Sequence, residues 1–151
     1  MPYRDSVSRI TVSVHIAAPA DEVWTDVSDL GSHTAWMADA ESIEFFDAQI
    51  SGVGTRMKVA TRVGPFRTVD IMEVTEWQPG STIGVEHRGI VTGTGAFSIE
   101  PRGDGTRFTW SETLSFPWWL GGAVVAWLAR PVLAAIWRRN LDRLKDRIEQ
   151  T

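Results

Sequence analysis

The sequence predicts an α+β fold: a curved seven-stranded antiparallel sheet wrapped around a long C-terminal helix, with two short helices after the first strand. Three observations carry that reading. Apolar residues recur with a period of two over residues 8–16 and again over 39–116, the signature of half-buried strands. The breaks between the later strands are all short turns, which join antiparallel neighbours, whereas parallel strands need a crossover of a dozen residues or more. The final segment differs in kind: residues 1–117 hold 9 basic and 16 acidic side chains, and residues 118–151 hold 6 and 3.

The chain has 151 residues, enough for one domain (1–151) with a substantial core. A net charge of −4 argues against a dedicated nucleic-acid binder. With no cysteine, disulfides, thiolate nucleophiles and thiolate metal sites are all ruled out. His15, His33 and His87 show no metal-ligand spacing, so no metal is expected. The opening MPYRDSVSRI is charged and lacks an apolar run, so no signal peptide is expected and a cytoplasmic location fits. Eight tryptophans against one tyrosine is a heavy load of large rings, which fill cores or line apolar cavities.

The elements follow in order. In SRITVSVHI, Ile10, Val12, Val14 and Ile16 alternate with Thr11, Ser13 and His15, which makes a half-buried strand. In APADEVWTDVSDLG, Pro19 suits a first helical turn, Asp21 and Glu22 oppose the positive helix end, and Gly31 terminates. SHTAWM is expected as a second short helix with Ser32 as its cap. Strands are expected at about 41–47, 55–62, 66–77, 82–88, 92–101 and 105–116. Gly64-Pro65, Gln78-Pro79-Gly80 and Gly103-Asp104-Gly105 are among the turns that separate them. The last segment reads as a helix of about 45–50 Å, with a bend expected near Pro131. Its first half is apolar almost all round; in its second half Leu141, Leu144 and Ile148 oppose Arg, Asp and Lys.

Residues 118–137 are long enough to cross a bilayer and carry one charge, Arg130. A central arginine costs at least ~2.5–3.5 kcal/mol there, and the strands need a cover for their concave face. A buried helix covering the sheet is the expectation. Membrane contact is the alternative.

This order of one strand, two helices, six meandering strands and a terminal helix resembles the START-type helix-grip superfamily, in particular its bacterial polyketide cyclase/dehydrase and lipid-transport branch. The residues that carry the resemblance are IAAPADEVWTDVSD after the first strand, VTEWQPGSTI, PRGDGTRFTW and the helix LARPVLAAIWRRNLDRLKDRIE. The resemblance covers nearly the whole chain. It implies a helix gripped by a curled sheet, with a pocket between them.

Strand parity says which side chains face that pocket. In RFTWSETLSF one face is Arg107, Thr109, Ser111, Thr113 and Ser115, wholly polar, so Phe108, Trp110, Glu112, Leu114 and Phe116 point inward. Glu112 is then a carboxylate in an apolar row. It either pairs with a helix residue such as Arg130 or reaches water, or it orients a ligand and exchanges protons with it. Gly93, Gly95, Phe97 and Ile99 share the inward face of the preceding strand. A two-residue turn at Gly103-Asp104 sets Phe97 opposite Trp110 and Gly95 opposite Glu112. The glycine leaves room for a ligand beside the carboxylate or relieves sheet curvature. Ile83, Val85 and His87 face inward one strand further on, so His87 approaches Glu112 across the two glycines, over roughly 9–10 Å between backbones. Such a pair suits general acid/base chemistry; a histidine at a strand end is otherwise simply exposed.

Met57, Val59, Thr61, Met72 and Val74 are expected as pocket walls, and Asp70 as a wall residue or an exposed one. Trp36 and Phe45 close one side. Trp119, Ala123, Val124, Trp127, Leu128, Val132 and Ala135 form the helix floor, and Gly121-Gly122 reads as a turn. There is no GxSxG, no GxxxxGK and no GxGxxG opening a helix, so no cofactor is expected. The resulting expectation is a carrier or sensor that binds a small hydrophobic molecule such as a lipid, polyketide or isoprenoid-like metabolite. The alternatives are a cofactor-independent cyclase or dehydratase using Glu112, with or without His87, and a membrane-peripheral or partner-binding protein using the apolar helix 118–137.

Overall fold

Ile10, Val12, Val14 and Ile16 turn one way along β1 (Ser6–Ile16) in the computed structural model, which describes residues 6–150. The reading of the opening segment as no signal peptide rests largely on residues 1–5, which lie outside the described residues. After β1 come α1 (Ala20–Val27), a 3₁₀ segment (Leu30–Ala35), β2 (Ala40–Phe45), β3 (Arg56–Val63), β4 (Phe66–Gln78), β5 (Thr82–Arg88), β6 (Thr92–Arg102) and β7 (Gly105–Phe116). A 3₁₀ turn (Trp118–Leu120) leads into α2 (Gly122–Glu149). The strands form one seven-stranded sheet in the order β1-β7-β6-β5-β4-β3-β2, antiparallel throughout.

The turn chemistry sets the register. Arg102 pairs with Gly105, leaving Gly103 and Asp104 as the two loop residues, and Gly103 has φ +59°. That left-handed conformation is cheap for glycine and suits a tight hairpin. Counting back, Phe97 lies opposite Trp110 and Gly95 opposite Glu112. In β4 the register shifts between Val74 and Glu76, so an extra residue lets both Val74 and Trp77 turn inward. There Trp77 meets Trp24 of α1 edge-on at 5.2 Å between centroids.

Three expected boundaries move. The first helix stops at Val27 instead of running to Gly31, because Asp29 (φ −80°, ψ 86°) leaves helical geometry. The second short helix is a 3₁₀ segment that begins at Leu30 after Asp29, ahead of the expected cap Ser32. Ser32 instead donates its hydroxyl back to the Asp29 carbonyl at 2.7 Å. The long helix begins at Gly122, because Gly121 and Gly122 both take positive φ (+103° and +44°) to turn the chain from sheet to helix.

The largest departure concerns which face of α2 is covered. The helix lies chiefly along β1 and touches β7 less. Its buried stripe is Gly122, Ala126, Trp137, Asn140, Leu141, Leu144 and Ile148. The small residues at 122 and 126 let the backbones approach, and the Ser8 hydroxyl donates to the Ala126 carbonyl at 2.9 Å. A single stripe about 100° wide is all that a helix can bury against one sheet edge. The expected cover over residues 118–137 is therefore only partial. Among the described residues no helix is long and apolar enough to cross a membrane.

Candidate functional site

The inward row of β7 is as parity predicts: Phe108, Trp110, Glu112, Leu114 and Phe116 are all buried. Two side chains flank Glu112. The Trp110 indole N–H, two residues back on the same face, donates to Glu112 Oε1 at 3.0 Å. His87 Nε2 lies 2.7 Å from Glu112 Oε2, with both side chains only 8% exposed. Arg130, the expected alternative partner, forms no ion pair among the described residues.

Gly95 explains how a histidine and a glutamate two strands apart can meet. On β6 it stands between them, paired with Val85 on one side and Glu112 on the other. A Cβ there would sit 2.8 Å from Glu112 Oε1 and 3.2 Å from His87 Nε2. The missing side chain is the space through which the two long side chains lean together. Gly93 is held by a different constraint: at φ +152° its Cβ would strike the Thr113 carbonyl at 2.0 Å.

Electrostatics shape this pair. Burial alone would lower the His87 pKa, but the Glu112 carboxylate beside the ring and the charge of Asp70 outweigh it, so His87 titrates above the usual histidine range. Asp70 lies on the same inner face of β4 as Met72, which pairs with His87. Burial raises the Asp70 pKa; the charge of His87 works against that shift and the charge of Glu112 adds to it. Gly89 makes room for this carboxylate, since a Cβ there would lie 2.0 Å from Asp70 Oδ1. Asp70, His87 and Glu112 thus form a diagonal of titratable groups on the concave face.

Around this diagonal the rest of the concave face is built from rings. Trp36, Phe97, Phe108 and Trp110 pack on one another with centroids 5.2–6.5 Å apart. Trp137 of α2 stacks on Trp110 at 4.6 Å and 15°. This cluster closes the deep end of the grip, so Trp36 and Trp110 stand in the packed core. Met57, Val59 and Leu114 are buried in the same face, while Phe45, Met72, Val85, Gly93 and Phe97 are only half-buried. Two polar atoms on this side are buried without a hydrogen-bond partner, Trp36 Nε1 and Asp70 Oδ1, while His87 Nε2 has the Glu112 carboxylate beside it.

The expected helix floor is not met. Trp119, Val124, Trp127, Leu128 and Val132 are between 50% and 73% exposed, and Ala123 and Ala135 are exposed too. They lie off the stripe that meets β1, and the sheet-facing side chains of this half are Val125, Ala126, Ala129 and Leu133. Sequence reasoning also missed Asn140. Fully buried, it accepts from the Ala38 N–H at 3.0 Å and donates to Asp39 Oδ1 at 2.7 Å, tying α2 to the segment before β2. A lone polar residue between Arg139 and Leu141 was its only signal. Among the described residues no cluster of histidines and carboxylates could hold a metal ion.

Comparison with known proteins bears on this geometry. No curated protein gives a significant match to the sequence. Among solved structures, the protein TTHA0849 from Thermus thermophilus superposes with a TM-score of 0.81 at 20% identity, covering 93% of this chain and 96% of that one. The Zhui aromatase/cyclase from a Streptomyces species does so with 0.73 at 18%, covering 95% and 94%. A truncated norcoclaurine synthase from Thalictrum flavum gives 0.72 at 16%, covering 100% and 99%. At such identities the likeness speaks for the fold, a helix-grip. The family described as polyketide cyclase/dehydrase and lipid transport matches residues 8–149, nearly the whole of the described chain, and the protein belongs to that family.

Proposed function

We propose that the protein binds a small hydrophobic molecule between the sheet and α2, and that the molecule's carbonyl or hydroxyl oxygen is held at His87 and Glu112. The observation that carries this reading is a pair of buried polar atoms without a partner on the concave face, Asp70 Oδ1 and Trp36 Nε1, the first of them next to the His87–Glu112 pair. A buried polar group without a partner costs about 1–3 kcal/mol, so a fold that keeps such groups on one surface gains when a ligand supplies the partners. The ring cluster fills the deep end. Met72, Val85 and Gly93 are only half-buried, so this is the part of the face that an apolar body can reach. A carrier or sensor needs no more than this.

A second reading, proton transfer of the cyclase or dehydratase type, is favoured by the diagonal itself. An imidazolium next to a carboxylate can donate a proton to a ligand carbonyl and take one back, and no cofactor is required for that step. The name of one structural neighbour, an aromatase/cyclase, fits this reading.

The test uses two ring systems of equal size, acetonaphthone and ethylnaphthalene, with His87 followed by NMR. Hydrogen bonds to charged groups are worth about 1.5–3 kcal/mol, so the ketone is expected to bind at least tenfold more tightly and to shift the His87 ring signals. Equal affinity, or binding that leaves His87 unmoved, would remove the pair from the site.

A further inference from the structure

We propose that the N-terminal half of α2 docks on the surface of an anionic phospholipid bilayer. Val124, Leu128 and Val132 follow one another at four-residue spacing, which places them on one line of the helix, and all are at least half exposed. Trp127 lies beside that line at 73% exposure, and Trp119 stands just before the helix at 60%. A contiguous apolar surface of this kind on a globular chain marks an interaction face.

Charge decides the kind of partner. Between α2 and β1 runs a groove of about 520 Å³ in which the apolar side chains of Trp127 and Leu128 stand with Arg9, Arg130 and Arg138. None of these three arginines forms an ion pair among the described residues. No aspartate or glutamate occurs between residues 113 and 141. A face of exposed tryptophan and aliphatic residues edged by unpaired arginines, on a chain whose net charge is −4, is matched by a surface that is apolar inside and anionic outside. A bilayer is that surface. Tryptophan rings settle at the headgroup level, arginines bind phosphate while their stems stay in apolar surroundings, and a helix unable to span lies in the interfacial plane.

The experiment is co-sedimentation of the full chain with vesicles of phosphatidylcholine alone and of phosphatidylcholine mixed with phosphatidylglycerol, with tryptophan emission recorded in parallel. Binding is expected on the mixed vesicles, weakening with salt, with a blue shift of the emission. The double substitution Trp127→Ser with Leu128→Ser removes only exposed side chains; it should leave the circular dichroism unchanged and abolish binding. Arg130→Gln with Arg138→Gln should weaken binding roughly thirtyfold, about fivefold for each charge. Three results would overturn the proposal: no binding to the mixed vesicles, equal binding by the double variants, or a lipid-free dimer that the serine variant dissociates. The last would put a second copy of the chain on this face.

Discussion

Gly95→Ala adds one methyl group at the crossing point of the candidate site. The added carbon would lie 2.8 Å from Glu112 Oε1, 2.9 Å from Glu112 Cδ and 3.2 Å from His87 Nε2. Gly95 has no positive φ, so the backbone accepts alanine, and the stiffer unfolded chain returns about 0.4–1 kcal/mol. Against this, a methyl forced into a packed interior costs typically about 1–3 kcal/mol. The Trp110 indole holds that same Oε1 at 3.0 Å, so Glu112 cannot retreat without stretching a second contact. The net expectation is a loss of about 1–2 kcal/mol with the fold retained, read by urea denaturation at neutral pH. The electrostatic consequence is more specific. With the carboxylate pushed from the ring, burial acts on His87 less opposed, and its pKa should fall from above the ordinary 6.5 toward or below it. The titration of the His87 ring protons by NMR reads this directly. An alanine variant as stable as the parent, with the His87 titration unmoved, would refute the argument that the glycine is what admits the pair.

Three further predictions concern His87, His33 and Asn140. His87 has a raised folded-state pKa, so its pairing contributes stability that is fully present below about pH 6.5 and is lost as pH rises through the folded-state value; the stability difference between the parent and His87→Gln should shrink as pH rises above 6.5. His33 behaves oppositely. Burial lowers its pKa despite the Val27 carbonyl 2.7 Å from Nε2, so the unfolded chain takes up the proton first as pH falls below about 6.5, and His33→Gln should flatten the acid side of the stability profile. Asn140→Ala strands the Ala38 N–H and Asp39 Oδ1 and should cost about 2–3 kcal/mol by chemical denaturation; a parent-like midpoint would mean that those groups find other partners.

The sheet was legible because period two and turn chemistry act locally. Gly103-Asp104 alone determines that Gly95 faces Glu112, and the alternation of RFTWSETLSF alone determines that Glu112 points inward. The His87–Glu112 contact was legible only as a direction. Two strand spacings separate the backbones, and whether side chains close that distance depends on how far each leans over Gly95, which no period encodes. Asp70 stayed ambiguous for a related reason. Its strand carries a register shift after Val74, and its outer face exposes Val69 and Ile71, so polarity does not separate its two sides.

The long helix shows where pattern reading reaches its physical limit. In its second half Leu141, Leu144 and Ile148 sit among charges, so only one rotation buries them, and they are buried. In its first half almost every face is apolar, so hydrophobicity gives nearly equal transfer energy at any rotation. Close approach breaks the tie: Gly122 and Ala126 can meet β1 and the bulkier Val124, Trp127 and Leu128 cannot, so the larger side chains are turned outward. The tryptophan count divides in the same way. Trp36, Trp110 and Trp137 fill the grip, whereas Trp119 and Trp127 face out, Trp127 in a groove with arginines that form no ion pair among the described residues. An apolar first half chosen only to cover the sheet would not need large rings on the face the sheet cannot reach. Their presence there is why that face is read as a second working surface and not as surplus core.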